Sequence, residues 1–380
     1  MSKITPVHAG IIGCGAISDA YLNNLTGRFA SVRAVACADR HGERARDKAE
    51  RYGLRAMAYQ SMLDDPDIAM IVNLTPPAAH YDVTRAALEH GKHVFSEKMI
   101  AVDLEQGREL MRLADAHGVR LGVAPDTFLC GGIQTSRYIV DHGLIGDVTS
   151  ANVAVNRNLA IYGDIMPFLE QPGGGMPFDY GCYHMTALAY LLGPAVRVSA
   201  FSRVHAPSRM RMRTDRNTFG ETVTLTESDI VTATVEYASG TLATIQFNGA
   251  SNVDEHPIMD VYGTHGILRM GDPNAAGAPV RLRKPLQEEI AFPFTHGFLN
   301  ESRGVGAAEM AWAIARHRPH RAGKEMAFHV FELIHGMIIS ARTEEPYRLS
   351  STFVRPTALP EGYLPNGAWG PTEESALAAE

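Results

Sequence analysis

The chain has 380 residues, 45% hydrophobic and 20% charged, with 35 basic against 42 acidic side chains and a net charge of −7. This profile suits a soluble globular protein of two domains; it excludes chain-wide disorder, and the acidic balance argues against a nucleic-acid partner. No apolar run reaches the ~18 residues of a membrane helix. The N-terminus has no apolar leader, and Cys14, Cys37, Cys130 and Cys182 form no Cys-x-x-Cys pair. A reduced, cytoplasmic protein with neither a membrane span nor a metal centre is expected.

Apolar runs at 7–12, 32–38, 69–74, 93–95 and 119–123 alternate with helix-like stretches at 16–25, 42–52, 78–90 and 103–116. Strands alternating with helices of this length predict βαβ units and a parallel sheet over residues 1–123, with ligands held beyond the carboxyl ends of the strands. A helix at 133–142, a strand at 148–156 and a helix at 177–192 follow. From 197 to 293 the pattern is mainly β, including a hairpin around Gly263-Thr264-His265-Gly266. The last helices are expected at 301–316 and 324–342. Residues 124–350 thus read as an α+β domain on a large antiparallel sheet, and 351–380 as a Pro-, Gly- and Ala-rich tail. The arginines between Arg203 and Arg216 read as a solvated loop between strands.

The first strand runs into Gly13-Cys14-Gly15-Ala16-Ile17-Ser18. This fits G-x-G-x-x-G/A except at its last position, where Ser18 is still small. Gly13 permits the tight turn, and Gly15 lets backbone approach a pyrophosphate at a helix N-terminus. The second strand ends at Asp39, 26 residues after Gly13, where an acid would hold a ribose 2′-hydroxyl. Asp39 favours NAD, since a carboxylate repels a 2′-phosphate, while Arg40 beside it admits NADP. Thr75-Pro76-Pro77 ends the third strand at the cofactor edge and starts the next helix.

Lys98 follows the fourth strand and points into the crevice of a nicotinamide. In the helix after Gly173-Gly174-Gly175, Asp179 falls in the first turn and Tyr183, four residues on, shares its face. His184 lies about 140° away from Asp179. It stays an alternative acid–base group, because imidazole titrates near neutrality. Tyrosine is a poor base at neutral pH, so a nearby ammonium is required if Tyr183 is to take a proton.

These residues resemble the Gfo/Idh/MocA oxidoreductases. The resemblance is carried by Gly13-Cys14-Gly15-Ala16-Ile17, Ala38-Asp39-Arg40, Thr75-Pro76-Pro77 with His80, Glu97-Lys98, Gly173-Gly174-Gly175 with Asp179 and Gly181, Val261-Tyr262-Gly263-Thr264, and Arg303-Gly304 with Met310. It spans about residues 7 to 355. It implies a Rossmann domain plus an α+β domain with an open-faced, mainly antiparallel sheet, and assembly as a homodimer or homotetramer. It also implies NAD(P)-dependent oxidation of a secondary hydroxyl on a sugar, sugar derivative or cyclitol. Lys98, Asp179 and Tyr183 would be catalytic, with His184 the alternative. Gly13, Gly15, Ala16, Ile17, Asp39, Arg40, Thr75, Pro76, His80, Glu97, Lys98 and Asp126 would face the cofactor. One departure is Met99, where the family has proline, so the backbone beside Lys98 is expected to be less fixed. Two other readings are an NAD-dependent glycosidase that oxidises its sugar transiently and a non-catalytic NAD(H)-binding regulatory protein.

Overall fold

Apolar runs closed by glycine or proline become buried parallel strands. The computed structural model describes residues 5–360 except 226. Its first sheet contains β1 Val7–Ile12, β2 Val32–Ala38, β3 Arg55–Ala56, β4 Met70–Asn73, β5 His93–Ser96 and β6 Leu121–Val123. The order is β3-β2-β1-β4-β5-β6, every pair parallel. The crossover helices are α1 Ser18–Leu25, α2 Gly42–Tyr52, α3 Tyr59–Asp64, α4 Pro77–Glu89 and α5 Leu104–Ala116. Their ends follow local chemistry. Pro77 starts α4, where its missing N–H costs nothing. Asp103 caps α5 through Glu105 and Gln106 N–H. Gly53 closes α2 at φ +67°. The sequence pattern did not show β3 or α3, a two-residue exposed edge strand and a six-residue helix.

The second domain adds α6 Gly131–Asp141, β7 Val148–Asn156, α7 Leu159–Gly163, α8 Cys182–Leu192, β8 Ala195–Arg203, β9 Ser208–Met210, β10 Thr222–Thr224, β11 Ile230–Tyr237, β12 Leu242–Asn248, β13 Ile258–Gly263, β14 Gly266–Met270, β15 Val280–Arg283, β16 Ile290–Ala291, α9 Val305–Ala315, α10 Lys324–Thr343 and β17 Tyr347–Arg348. Nine of these strands form one sheet, β16-β15-β14-β13-β7-β12-β11-β8-β17, antiparallel except for the β7–β12 pair. Strict alternation buries one face, with Val153, Val155, Val231, Val235, Ile245 and Phe247 inside. Phe201, Thr232, Gln246, Ala154 and Ile258 pair in one row across the opposite face.

The expected regular helix at 177–192 begins instead with a π-helical turn over Pro177–Gly181, and the α-helix starts at Cys182. Such turns occur often at functional sites. The arginine-rich stretch also departs from the solvated loop expected of it. It forms the β9–β10 hairpin, and Arg211 is tied to Asp164 at 3.2 Å and Glu170 at 2.6 Å.

Helix α9 returns to the first sheet, where Ser31 Oγ donates to the Ala308 carbonyl at 2.8 Å. Residues 351–360 form a strap. Arg321 donates to the carbonyls of Thr357 and Ala358, and Leu359 N–H donates to Gln134 Oε1 at 3.0 Å. The rest of the expected tail, 361–380, lies outside the described residues.

Candidate active site

The loops after β1, β4 and β5 meet at one edge of the parallel sheet. Gly13 has φ +101°, and a Cβ there would lie 2.6 Å from the Leu74 carbonyl group, so only glycine fits. At Gly15 a Cβ would meet nothing within 4 Å: the space above the loop is open. Asp39 braces this loop, taking the Cys14 N–H on Oδ2 and the His41 N–H on Oδ1, both at 2.8 Å. Among the described residues, no protein acceptor is bonded to the N–H groups of Gly15, Ala16 and Ile17. An open loop, free N–H groups at a helix N-terminus and an acid at the end of β2 fit the pyrophosphate and ribose of a dinucleotide. Arg40 is exposed, its Nε directed at His41.

Thr75 and Pro76 lie on the same edge. Thr75 N–H and Oγ1 both donate to Asn73 Oδ1, and Pro76 caps α4. His80 is fully buried rather than facing a ligand. Its ring nitrogens sit 2.6 Å from the carbonyls of Met99 and Thr75. Burial lowers its basicity, while two carbonyl acceptors oppose that, because two N–H donors exist only in the imidazolium. His80 thereby holds the backbone on both sides of the site. This corrects the expectation of a loose backbone at Met99, which is itself buried; the Lys98–Met99 peptide is cis.

Lys98 extends from the end of β5 to the π-turn of the second domain. Its Nζ donates to Asp179 Oδ1 at 2.5 Å and to the Asp179 carbonyl at 2.9 Å, and lies 5.4 Å from the centre of the Tyr183 ring. Burial alone would discharge the amine; the Asp179 carboxylate outweighs it and holds the ammonium charged. Burial pushes the Tyr183 phenol above its ordinary value, with Glu97 adding to the rise and Lys98 and Arg303 opposing it. Glu97 takes the Tyr21 hydroxyl at 2.7 Å and the Lys98 N–H at 3.0 Å, so it fixes the strand end.

Two expected site residues lie elsewhere. His184 is fully buried between Tyr180 and Phe247, with Nδ1 3.2 Å from the Tyr180 carbonyl, and burial pushes it down to about 4. Its ring contacts are with Tyr180 and Phe247, and among the described residues it makes no hydrogen bond to Lys98, Asp179 or Tyr183. Asp126 is also buried. Its Oδ2 accepts the N–H groups of Gly304 and Gly306 at 2.9 and 3.0 Å, and burial raises it to about 6. Through these two bonds it anchors the start of α9.

The sequence reading missed a polar chain beside Tyr183. Arg157 donates to the Tyr180 hydroxyl, and Tyr180 to Asp272 Oδ2. Asp272 Oδ1 takes the Asn274 N–H at 2.9 Å, and Arg303 Nη2 donates to Asn274 Oδ1 at 2.5 Å. The signal for Arg303 was available: a cation just ahead of an apolar helix opposes the helix dipole, so helix stability does not account for it. Among the described residues no group of His, Cys, Asp and Glu could hold a metal ion, no helix is long and apolar enough to cross a membrane, and all four cysteines are free and buried.

Two family profiles match the chain, "Oxidoreductase family, NAD-binding Rossmann fold" over residues 7–124 and "GFO/IDH/MocA C-terminal domain" over residues 133–269. Curated relatives include the D-glucoside 3-dehydrogenase of Escherichia coli K12, 29% identical over 271 residues, 68% of this chain and 74% of the relative. The inositol 2-dehydrogenase of Burkholderia cenocepacia is 26% identical over 283 residues, 73% and 78%. A levoglucosan dehydrogenase solved with NADH and L-sorbose shares the fold, with a TM-score of 0.79 at 18% identity over 91% of this chain and 99% of that one. Fold and matches together define an NAD-binding oxidoreductase. The chain belongs to the Gfo/Idh/MocA family, and its first domain is the Rossmann NAD-binding domain of that family.

Proposed function

We propose that this protein is a dehydrogenase that oxidises a secondary hydroxyl of a sugar, sugar derivative or cyclitol, using NAD in preference to NADP. One observation carries the reading: a charged Lys98, bound to Asp179 at 2.5 Å, faces the Tyr183 phenol at the carboxyl edge of the cofactor sheet. When bound, the nicotinamide supplies the two-electron acceptor for the carbinol hydrogen.

The protein supplies orientation and proton chemistry. Two Lys98 donors are committed to Asp179, and the third is available to the substrate oxygen. A lysine held as ammonium is no base, so the proton falls to Tyr183. In oxidation Tyr183 as phenolate takes the hydroxyl proton and becomes the phenol; in reduction the phenol gives that proton to the carbonyl oxygen and becomes the phenolate. Because burial raises Tyr183, oxidation is favoured by alkaline pH and reduction by neutral pH. Asp39 supports the NAD preference, since it stands where a 2′-phosphate would have to sit. The row Phe201, Thr232, Gln246, Ala154 and Ile258 supports assembly of copies through the sheet, as a homodimer or homotetramer.

The test is a panel of monosaccharides, anhydrosugars, cyclitols and glycosides with NAD or NADP, following nicotinamide absorbance. Reduction of NAD by members of the panel is the expected result. Product formation without net reduction would replace this reading with the glycosidase one.

A further inference from the structure

The grip on Lys98 depends on the residue that follows Asp179. Lys98 Nζ reaches two oxygens of Asp179, the carboxylate at 2.5 Å and the backbone carbonyl at 2.9 Å. That carbonyl belongs to the peptide joining Asp179 to Tyr180, inside the π-helical turn, and it also takes the Cys182 thiol at 3.3 Å. Whatever holds Tyr180 therefore sets the direction of the oxygen that Lys98 binds.

Tyr180 is 8% exposed, and its hydroxyl uses its donor and an acceptor site at once. It accepts from Arg157 Nη2 and donates to Asp272 Oδ2. The Arg157 guanidinium also lies 4.2 Å from the centre of the ring, and its Nη1 donates to the Tyr162 hydroxyl at 3.0 Å. Asp272, in the turn after β14, takes the Asn274 N–H at 2.9 Å, and Asn274 Oδ1 takes Arg303 Nη2 at 2.5 Å. The turn that carries Arg303 is pinned to the end of α1. Asn24 Nδ2 donates to the Arg303 carbonyl at 2.9 Å, and Arg28 Nη1 to the Glu301 carbonyl at 2.7 Å. At Gly304, with φ +93°, a Cβ would press on Leu25 of α1 at 3.1 Å, so only glycine allows this approach. Helix α1 itself starts at the open phosphate loop. Hydrogen bonds thus lead from the end of the cofactor helix, through Arg303, Asn274 and Asp272, to the phenol of the π-turn.

We propose that Tyr180 is a positioning residue of the active centre: its hydroxyl, clamped between Arg157 and Asp272, fixes the turn whose Asp179 oxygens hold Lys98. The inference rests on the dehydrogenase reading and deepens it. Lys98 and Tyr183 meet the substrate oxygen, and Tyr180 acts on them through Asp179.

The first arm of the test uses no substrate. Each lysine is acetylated in competition at fixed pH, and its rate is read by mass spectrometry. Tyr180→Phe keeps the ring and removes the clamp. With Asp179 loosened, burial prevails over the carboxylate and more of the Lys98 amine is neutral, so its acetylation should speed up roughly three- to tenfold. Lys48 and Lys92, bonded within the first domain, should be unchanged. Asp272→Ala, which breaks the clamp from the other side, should act alike, and Asp272→Asn, which still offers the phenol an oxygen, should restore most of the loss. In an Asp179→Asn background Tyr180→Phe should add nothing, as expected of residues acting in series. In turnover, Tyr180→Phe should lower kcat by ~10–100-fold with little change in the sugar KM. Equal Lys98 rates in the parent, Tyr180→Phe and Asp272→Ala would overturn the proposal; so would a rise shared by Lys48 and Lys92, or a raised sugar KM at parent kcat, which would make the phenol a sugar ligand. A sugar panel without cofactor reduction would refute the dehydrogenase reading and leave the acetylation result standing.

Discussion

Replacing Lys98 by methionine keeps the length of the side chain and removes its charge. Taking the 5.4 Å from Nζ to the Tyr183 ring and an effective dielectric constant of about 20, the lost attraction for a phenolate is about 3 kcal/mol, or roughly two pH units. The change also strips Asp179 of its cation, which raises the phenol in the same direction. Losing a cation makes the phenolate less stable, so the alkaline limb of kcat/KM for sugar oxidation should move to higher pH by roughly two units. Turnover at neutral pH should fall by about 10²–10⁴, the contribution expected of proton transfer and orientation together. Steady-state NADH formation across pH gives both quantities; NADH binding by fluorescence should stay within about threefold of the parent, since this prediction assigns Lys98 to the substrate oxygen. Parent-like turnover with an unmoved pH limb and an intact melting transition would refute the reasoning.

Other outcomes follow from the same geometry. Gly15→Val should fold with an unchanged melting temperature, since its Cβ meets no protein atom, yet lose about tenfold or more in NAD affinity by filling the phosphate space. Gly13→Ala should lose stability by about 1–3 kcal/mol in denaturant titration, because its φ of +101° and its 2.6 Å approach to Leu74 exclude a side chain. His184→Leu should keep turnover within about threefold of the parent while lowering the melting temperature, because the imidazole belongs to the core; a hundredfold loss of turnover would return it to the list of acid–base groups. Burial opposes charge on Glu332, but hydrogen bonds from Ser350 and Ser351 prevail and hold it at about 2. Its folded value lies below the unfolded one, so its stabilisation is present above about pH 4.5 and lost as pH falls towards 2; Glu332→Gln should flatten acid unfolding in that window.

The first domain is legible in the sequence because its strands are continuous apolar runs with sharp Gly and Pro boundaries. A two-residue strand such as β3 carries no period and escapes that reading. Asp179 and Tyr183 are legible as a pair because four-residue spacing places them on one face, and Lys98 because a strand end fixes where it points. The π-turn at Pro177–Gly181 is not legible, since no residue type announces it. Arg303, Asn274 and Arg157 come together only when distant segments close over α8, which local spacing does not encode. His184 illustrates the opposite limit: its chemistry suits catalysis, while its position is decided by packing against Tyr180 and Phe247. His80 and Asp126 likewise sit next to the site and serve backbone atoms rather than a ligand.

Isotope tracing tests the whole account most directly. A sugar from the panel, deuterated at its carbinol carbon, is incubated with the enzyme and NAD, and the nicotinamide product is analysed by mass spectrometry. Deuterium recovered in NADH in proportion to oxidised sugar, and lost in Lys98→Met, is the result the account requires; sugar that turns over while the cofactor gains no label would contradict it.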